Sequence, residues 1–281
     1  MLSRTSKASA LLLTAAVLAV TACSGDGTGG GESAEDDSAF PTRACGAVVD
    51  VSGSADGGRV VERASEWIAE FLDPASSSGS RCDRLVITVA IHNSEALTCD
   101  PVELEIAVSG ANSRAQNASW ERNRQETGFV PVEEGETPSG PGVDAWEELR
   151  ACGVRMIEER SNQDNKLHSD VLGALRKLGD LMDDGLDGGR IAVVSDGEHN
   201  AETHFGELDL GSAESRAEEI ERLREEGLLP DLSGAEVVFY GLGSGLEASW
   251  TSSEVTRLKD FWEEVSLAAG ATAVDDASAA E

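Results

Sequence analysis

Gly46-Ala47-Val48-Val49-Asp50-Val51-Ser52-Gly53-Ser54 is the stretch whose reading decides the fold. Its first four residues are small or β-branched and apolar, and the run stops abruptly in a carboxylate and small polar residues. This predicts a buried strand whose C-terminal end opens into a loop. Behind the loop, Gly58 to Leu72 carries Val60, Ala64, Trp67 and Phe71 at helical spacing. Strand, polar loop and helix in that order is how open α/β sheets place ligand sites, outside the carboxyl ends of their strands. Asp50, Ser52 and Ser54, spaced two apart, offer hard oxygen donors that suit Mg²⁺ better than a soft metal. The same three residue types are ordinary turn formers. The metal assignment therefore depends on what the rest of the chain supplies.

Outward from this stretch, strands and helices alternate. Asp73 to Ser80 is a Pro/Ser/Gly loop. Arg84 to Ile91 is a strong strand, and Val102 to Val108 is another, with Glu103 and Glu105 on one face. The link between these two is too short for a helical crossover and suits a hairpin, which predicts an antiparallel strand at a sheet edge. Residues 109–142 are polar and form a surface excursion with a short helix around Ala115 to Arg124. Helices follow over Val143 to Arg160, with Trp146, Leu149, Met156 and Ile157 inward, and over Ser169 to Asp183, with Val171, Leu175, Leu178 and Met182 on one stripe. Arg190 to Val194 is a strand, Ser212 to Glu226 an acidic amphipathic helix, and Glu236 to Leu242 a further strand. Val255, Leu258, Trp262 and Val265 mark the last helix, and Ala271 to Val274 a final short strand before a polar tail at 276–281. The alternation over residues 44–275 predicts one doubly wound α/β domain with a mostly parallel sheet, one antiparallel edge strand and helices on both faces.

The first 22 residues stand apart. Arg4 and Lys7 precede an apolar stretch from Ala10 to Val20, too short for a comfortable membrane span. Val20-Thr21-Ala22-Cys23 then resembles the end of a bacterial lipoprotein signal, in which cleavage leaves Cys23 carrying a lipid anchor. Residues 23–43, rich in Gly, Ser, Asp and Glu with almost nothing to bury, read as a flexible acidic tether. The expected location is extracytoplasmic, anchored to the cell membrane as a lipoprotein. Removing residues 1–22 takes two basic residues from the 22 and none of the 53 acidic ones, so the formal charge moves from −31 to −33. Such a charge argues against binding nucleic acid or an anionic membrane surface, leaving membrane association to the anchor. Cys45, Cys82, Cys99 and Cys152 form an even set with no Cys-x-x-Cys pair, as expected of two disulfides in an exported protein. Cys45 precedes the first strand and Cys82 the second, and neighbouring parallel strands begin at the same sheet end. The expected pairs are Cys45–Cys82 and Cys99–Cys152.

Two further oxygen sites fall at informative positions. Ser169-Asp170 lies in a loop and opens a helix, where Ser is also a plain N-cap. Ser195-Asp196-Gly197 ends the strand Ile191 to Val194, so Asp196 sits at a strand's carboxyl end like Asp50. In a doubly wound sheet whose order reverses beside the first strand, these two ends are neighbours. With these residues in place the chain resembles a von Willebrand factor type A domain with a metal-ion-dependent adhesion site. The family's Asp-x-Ser-x-Ser corresponds to Asp50, Ser52 and Ser54, its later Thr to Ser169, and its strand-end Asp to Asp196. The strand Val237 to Gly243 resembles the family's penultimate strand. The resemblance implies Mg²⁺, or Mn²⁺ or Ca²⁺, held directly by the three hydroxyls and mostly through water by the two carboxylates. It implies an open position that accepts an acidic residue from a protein partner. Ser169 in place of Thr lacks the methyl that restricts the rotamer. Asn165 to His168 replaces a Gly-rich approach.

Other assignments fail on particular residues. A haloacid-type phosphatase needs a second Asp where Ser52 stands, and no Gly-x-Ser-x-Gly elbow exists. Gly241 to Leu246 mimics a dinucleotide fingerprint but follows a late strand and lacks the third Gly. His199 and His204 lie beyond Asp196 and could rim the site, while His92 and His168 are scattered. No nucleophile is poised beside a base, so an enzyme is not expected. The sequence predicts a lipid-anchored surface protein that binds a protein partner through a divalent metal. The alternative is a solute-binding lipoprotein of a transport system, which would call for two lobes and a cleft.

Overall fold

The computed structural model describes residues 43–52, 60–75, 81–91, 93–95, 99–131, 138–164, 169–182, 186, 188–200, 209–246 and 250–277. The expected signal segment, Cys23 and the tether to residue 42 lie outside the described residues, as do Ser54, His92, Asn165 to His168, His204 and the last residues of the tail. The chain runs β1 (Ala44–Asp50), α1 (Val60–Phe71), β2 (Arg84–Ala90), β3 (Val102–Glu105), α2 (Ser113–Thr127), α3 (Pro141–Asp164), α4 (Val171–Leu181), β4 (Arg190–Val194), α5 (Ala213–Glu225), β5 (Glu236–Tyr240), α6 (Ser252–Ala268) and β6 (Ala273–Asp276). The strands form one sheet in the order β3-β2-β1-β4-β5-β6. Every neighbouring pair is parallel except β2 and β3, which are antiparallel at the edge. The chain thus builds outward from β1 in one direction and from β4 in the other, and the reversal falls between them.

Period-two alternation assigns the two layers. Cys45, Ala47 and Val49 of β1, with Leu85, Ile87 and Val89 of β2 and Ala192 and Val194 of β4, pack against α1 and α3. The intervening Val48, Val86, Ile191 and Val193 pack against α4, α5 and α6. Both faces are covered, which is why β1, β2, β4 and β5 read as nearly unbroken apolar runs. Gly46 belongs to the second face, and a β-carbon there would collide with the Leu178 side chain of α4. Glycine at this position lets α4 lie close on β1. β3 shows the opposite pattern: Val102 is buried, while Glu103 and Glu105 are exposed, as befits an edge. Among the described residues no helix is long and apolar enough to cross a membrane.

Both expected cysteine pairs sit at disulfide distance, Cys45 with Cys82 at a Cα separation of 5.6 Å and Cys99 with Cys152 at 5.9 Å. Between them the polar excursion contains more structure than its composition suggests. The helix expected at Ala115 to Arg124 extends over Ser113–Thr127, capped by the Asn112 side chain and ended by Gly128 at φ 86°. Its one buried apolar side chain is Trp120, while Asn117, Ser119 and Asn123 add polar contacts to Arg81, Ser109 and Ala107. Trp120 is buried and its Nε1 donates to the Cys82 carbonyl at 2.8 Å. A helix with a single buried apolar side chain has little hydrophobic periodicity to read. The last strand also shifts, from the expected Ala271 to Val274 to Ala273–Asp276. The end of α6 takes up the difference, with Gly270 at φ 98° and the Ala271 N–H bonded back to the Ser266 carbonyl.

Candidate metal and ligand site

The β1–β4 register pairs Val49 with Val194, so the next residues, Asp50 and Ser195, stand level where the strands end. This is the crevice at the reversal point of the sheet, where open α/β folds place ligands. Asp50 is fully buried. Its Oδ1 accepts the Ser52 N–H at 2.9 Å. Its Oδ2 accepts two hydroxyls, from Ser169 at 2.7 Å and Ser195 at 2.8 Å. Burial raises the carboxyl's affinity for a proton, and the hydrogen bonds from Ser169, Ser52 and Ser195 oppose it without cancelling it. Among the described residues no basic side chain contributes to these influences. The groups among them that favour an ionised Asp50 are neutral dipoles.

Ser169 reaches Asp50 because it does not cap α4. That role belongs to Asp170, whose Oδ1 accepts the Gly173 N–H at 2.9 Å. The expectation of a helix opening at Ser169 is thus one residue early, and the Ser169 hydroxyl is left for the site. The loop is held from both sides. Toward β2, Ser94 gives its N–H to Asp170 Oδ2 at 3.0 Å and its hydroxyl to the Asp170 carbonyl at 2.8 Å. Toward β4, the Ser169 N–H donates to Asn200 Oδ1 at 2.7 Å and the Asn200 N–H to the Ser169 carbonyl at 3.1 Å.

Asp196 lies one residue beyond the level of Asp50, buried, with Oδ1 accepting the Glu198 N–H at 2.9 Å. Its turn is anchored to the loop after β5, where Gly243 donates to the Asp196 carbonyl at 2.8 Å, and to α6, where Trp262 Nε1 donates to the Gly197 carbonyl at 2.8 Å. Gly197 adopts φ 84°, and a β-carbon there would strike Leu242. The Gly241 to Leu246 segment that mimics a dinucleotide fingerprint serves here as a packing loop beneath Asp196.

Of the five predicted metal residues, the structure brings Asp50, Ser52 and Ser169 into one hydrogen-bonded group and places Asp196 at the neighbouring strand end. Ser54 falls outside the described residues. Among the described residues no three His, Cys, Asp or Glu side chains converge. The group is instead made of hydroxyls around a buried carboxylate. That donor set fits a small hard cation, since hydroxyl and carboxylate oxygens are hard ligands. Sequence reasoning did not assign roles to Ser195, Asn200 and Ser94. Ser195 follows a strand, which is a usable signal, but only the register sets it level with Asp50.

His199 packs at this rim, and burial pushes its imidazole down from 6.5 to about 3. The unfolded chain therefore binds the proton first, and stability from neutral His199 is present above about 6.5 and lost as pH falls toward 3. Asp50 has the opposite sign: its raised affinity favours the fold at low pH, and that contribution is lost as pH rises through the folded value. Comparing the parent with His199→Gln cancels the Asp50 contribution. Between pH 6.5 and 4 the parent's melting temperature should fall more steeply than the variant's, and parallel curves would refute the assignment.

Searched against protein-family models and against curated proteins, the sequence finds no match. Among solved structures it is similar to the human COPII-coat protein Sec24c, at 12% identity and a TM-score of 0.24, over 81% of this chain and 33% of that one. At that score the likeness carries no weight for fold or function, and the chain spans about a third of the protein it matches.

Proposed function

We propose that this chain is a lipid-anchored surface protein that binds a protein partner through a divalent metal held at the ends of β1 and β4. The observation that carries this reading is the buried Asp50 carboxylate, clamped by the Ser169 and Ser195 hydroxyls where β1 and β4 end, with no basic side chain against it among the described residues. Ser52, Ser169 and the predicted Ser54 would hold a Mg²⁺ ion directly, with Asp50 and Asp196 behind water. Such an ion supplies an electrophilic position to which a partner's carboxylate can bind. Hydroxyl ligands donate less charge than carboxylates, so most of the ion's positive charge remains to attract that group. The role proposed for this donor set is binding, since hydroxyls around a carboxylate hold an ion and leave a position on it for a partner's group.

The acidic surface acts against an acidic partner at a distance. Screening confines that repulsion to about 8 Å at physiological salt. Association should therefore be slow at low salt and faster as salt rises, while a chelator abolishes it at every salt. The test is surface cross-linking of intact cells in Mg²⁺ to capture the partner, followed by affinity measurement with and without EDTA. Binding that survives EDTA would overturn the proposal.

A further inference from the structure

We infer that Ser195 is a positioning residue that ties the two carboxylates of this site together and keeps Asp50 Oδ2 out of direct contact with the ion. The inference rests on the metal reading above and adds to it a residue outside the predicted ligand set. A serine hydroxyl has one proton and two lone pairs. The Ser195 proton goes to Asp50 Oδ2 at 2.8 Å, and one lone pair accepts the Gly197 N–H at 2.9 Å. Ser169 gives its proton to the same Oδ2 at 2.7 Å. The two serines are thus chemically unequal: Ser169 retains its acceptor capacity for a ligand, whereas Ser195 spends half of its own on the backbone.

Two consequences follow. With both hydroxyl protons on Oδ2, that oxygen has its in-plane lone pairs filled, so Asp50 acts on an ion through water or through Oδ1. The chain Asp50–Ser195–Gly197 also spans the gap between strands. Gly197 is bonded to Asp196 in sequence and is held by Trp262 through its carbonyl. Ser195 therefore fixes where Asp196 stands relative to Asp50, and outer-shell groups of this kind commonly govern metal affinity.

The experiment is calorimetric titration of the full mature chain with Mn²⁺ and Mg²⁺, for the parent, Ser195→Ala and Ser195→Thr, with melting curves in EDTA beside it. Ser195→Ala should bind the ion about tenfold or more weakly, and Ser195→Thr, which keeps the hydroxyl, within about threefold of the parent. Melting in EDTA separates this from a plain loss of fold, since the alanine variant should still melt cooperatively. If that variant does not fold, Ser195→Cys takes its place as a weaker donor of similar shape, with affinity again expected to fall. A parent that binds the ion and a Ser195→Ala or Ser195→Cys variant that binds it equally well would overturn the role of Ser195 and leave the metal site standing. A parent that binds neither ion would overturn both.

Discussion

Saturating Mg²⁺ is expected to raise the melting temperature of the parent protein, and Asp50→Asn to erase that rise. An ion at a hundred times its dissociation constant stabilises the folded state by about 2.7 kcal/mol. For a chain of this size that corresponds to roughly 5–10 °C. The sign follows from the site. Asp50 is buried, and burial outweighs the hydrogen bonds that favour its ionised form, so that form is disfavoured until a cation arrives. The asparagine variant keeps the shape and can still accept the Ser52 N–H, and the Ser169 and Ser195 hydroxyls can rotate to accept from its amide. It should therefore fold, and in EDTA it should melt no lower than the parent, having no charge to desolvate. Differential scanning of both proteins in Mg²⁺ and in EDTA checks all four values. Equal Mg²⁺ shifts in parent and variant would place the ion somewhere other than Asp50.

The second large effect is covalent. Replacing Cys45 and Cys82 together by alanine should lower stability by about 4 kcal/mol, on the loop-entropy model for a separation of 37 residues. Both cysteines are fully buried, joining the starts of β1 and β2 beneath α1 and α3. The Cys82 carbonyl also receives Trp120, so the docking of α2 depends on the same spot. A fall of about 10 °C in melting temperature is the expected readout, with α2 amides losing hydrogen-exchange protection earliest. A change under about 2 °C would show that strand pairing alone holds β1 to β2, and that the cross-link adds little to it.

Much of this architecture was legible in the sequence because its signals are local. Val-Val-Asp and Ile-Ala-Val-Val, buried on both faces, read as central parallel strands, and the short link from Ile91 to Val102 forced an antiparallel edge. The stripes Val60/Ala64/Trp67/Phe71 and Val171/Leu175/Leu178/Met182 identified core-facing helices, and all of these residues are buried. The disulfide pairing followed from which ends of parallel strands lie together. The polar helix α2 was harder to place, since Trp120 is its one buried apolar residue and a single apolar residue has no period.

The site itself was only half legible. Asp50, Ser52, Ser169 and Asp196 could be singled out by residue type and by their positions where strands and helices end. Nothing local could say that Asp170, not Ser169, would cap α4, because either side chain can cap a helix. Only the folded neighbourhood, with Ser94 and Asn200 gripping the loop from two sides, resolves that competition. The same holds for Ser195. Its hydroxyl meets Asp50 because β1 and β4 pair with Val49 opposite Val194. A slip of one residue would have turned every side chain of the strand to the other face. Residue chemistry and periodicity are properties of short segments, so the sequence determines which elements form and which oxygens are available. The register between strands separated by over a hundred residues is set by packing of both faces at once. Only the tertiary structure decides which of those oxygens meet.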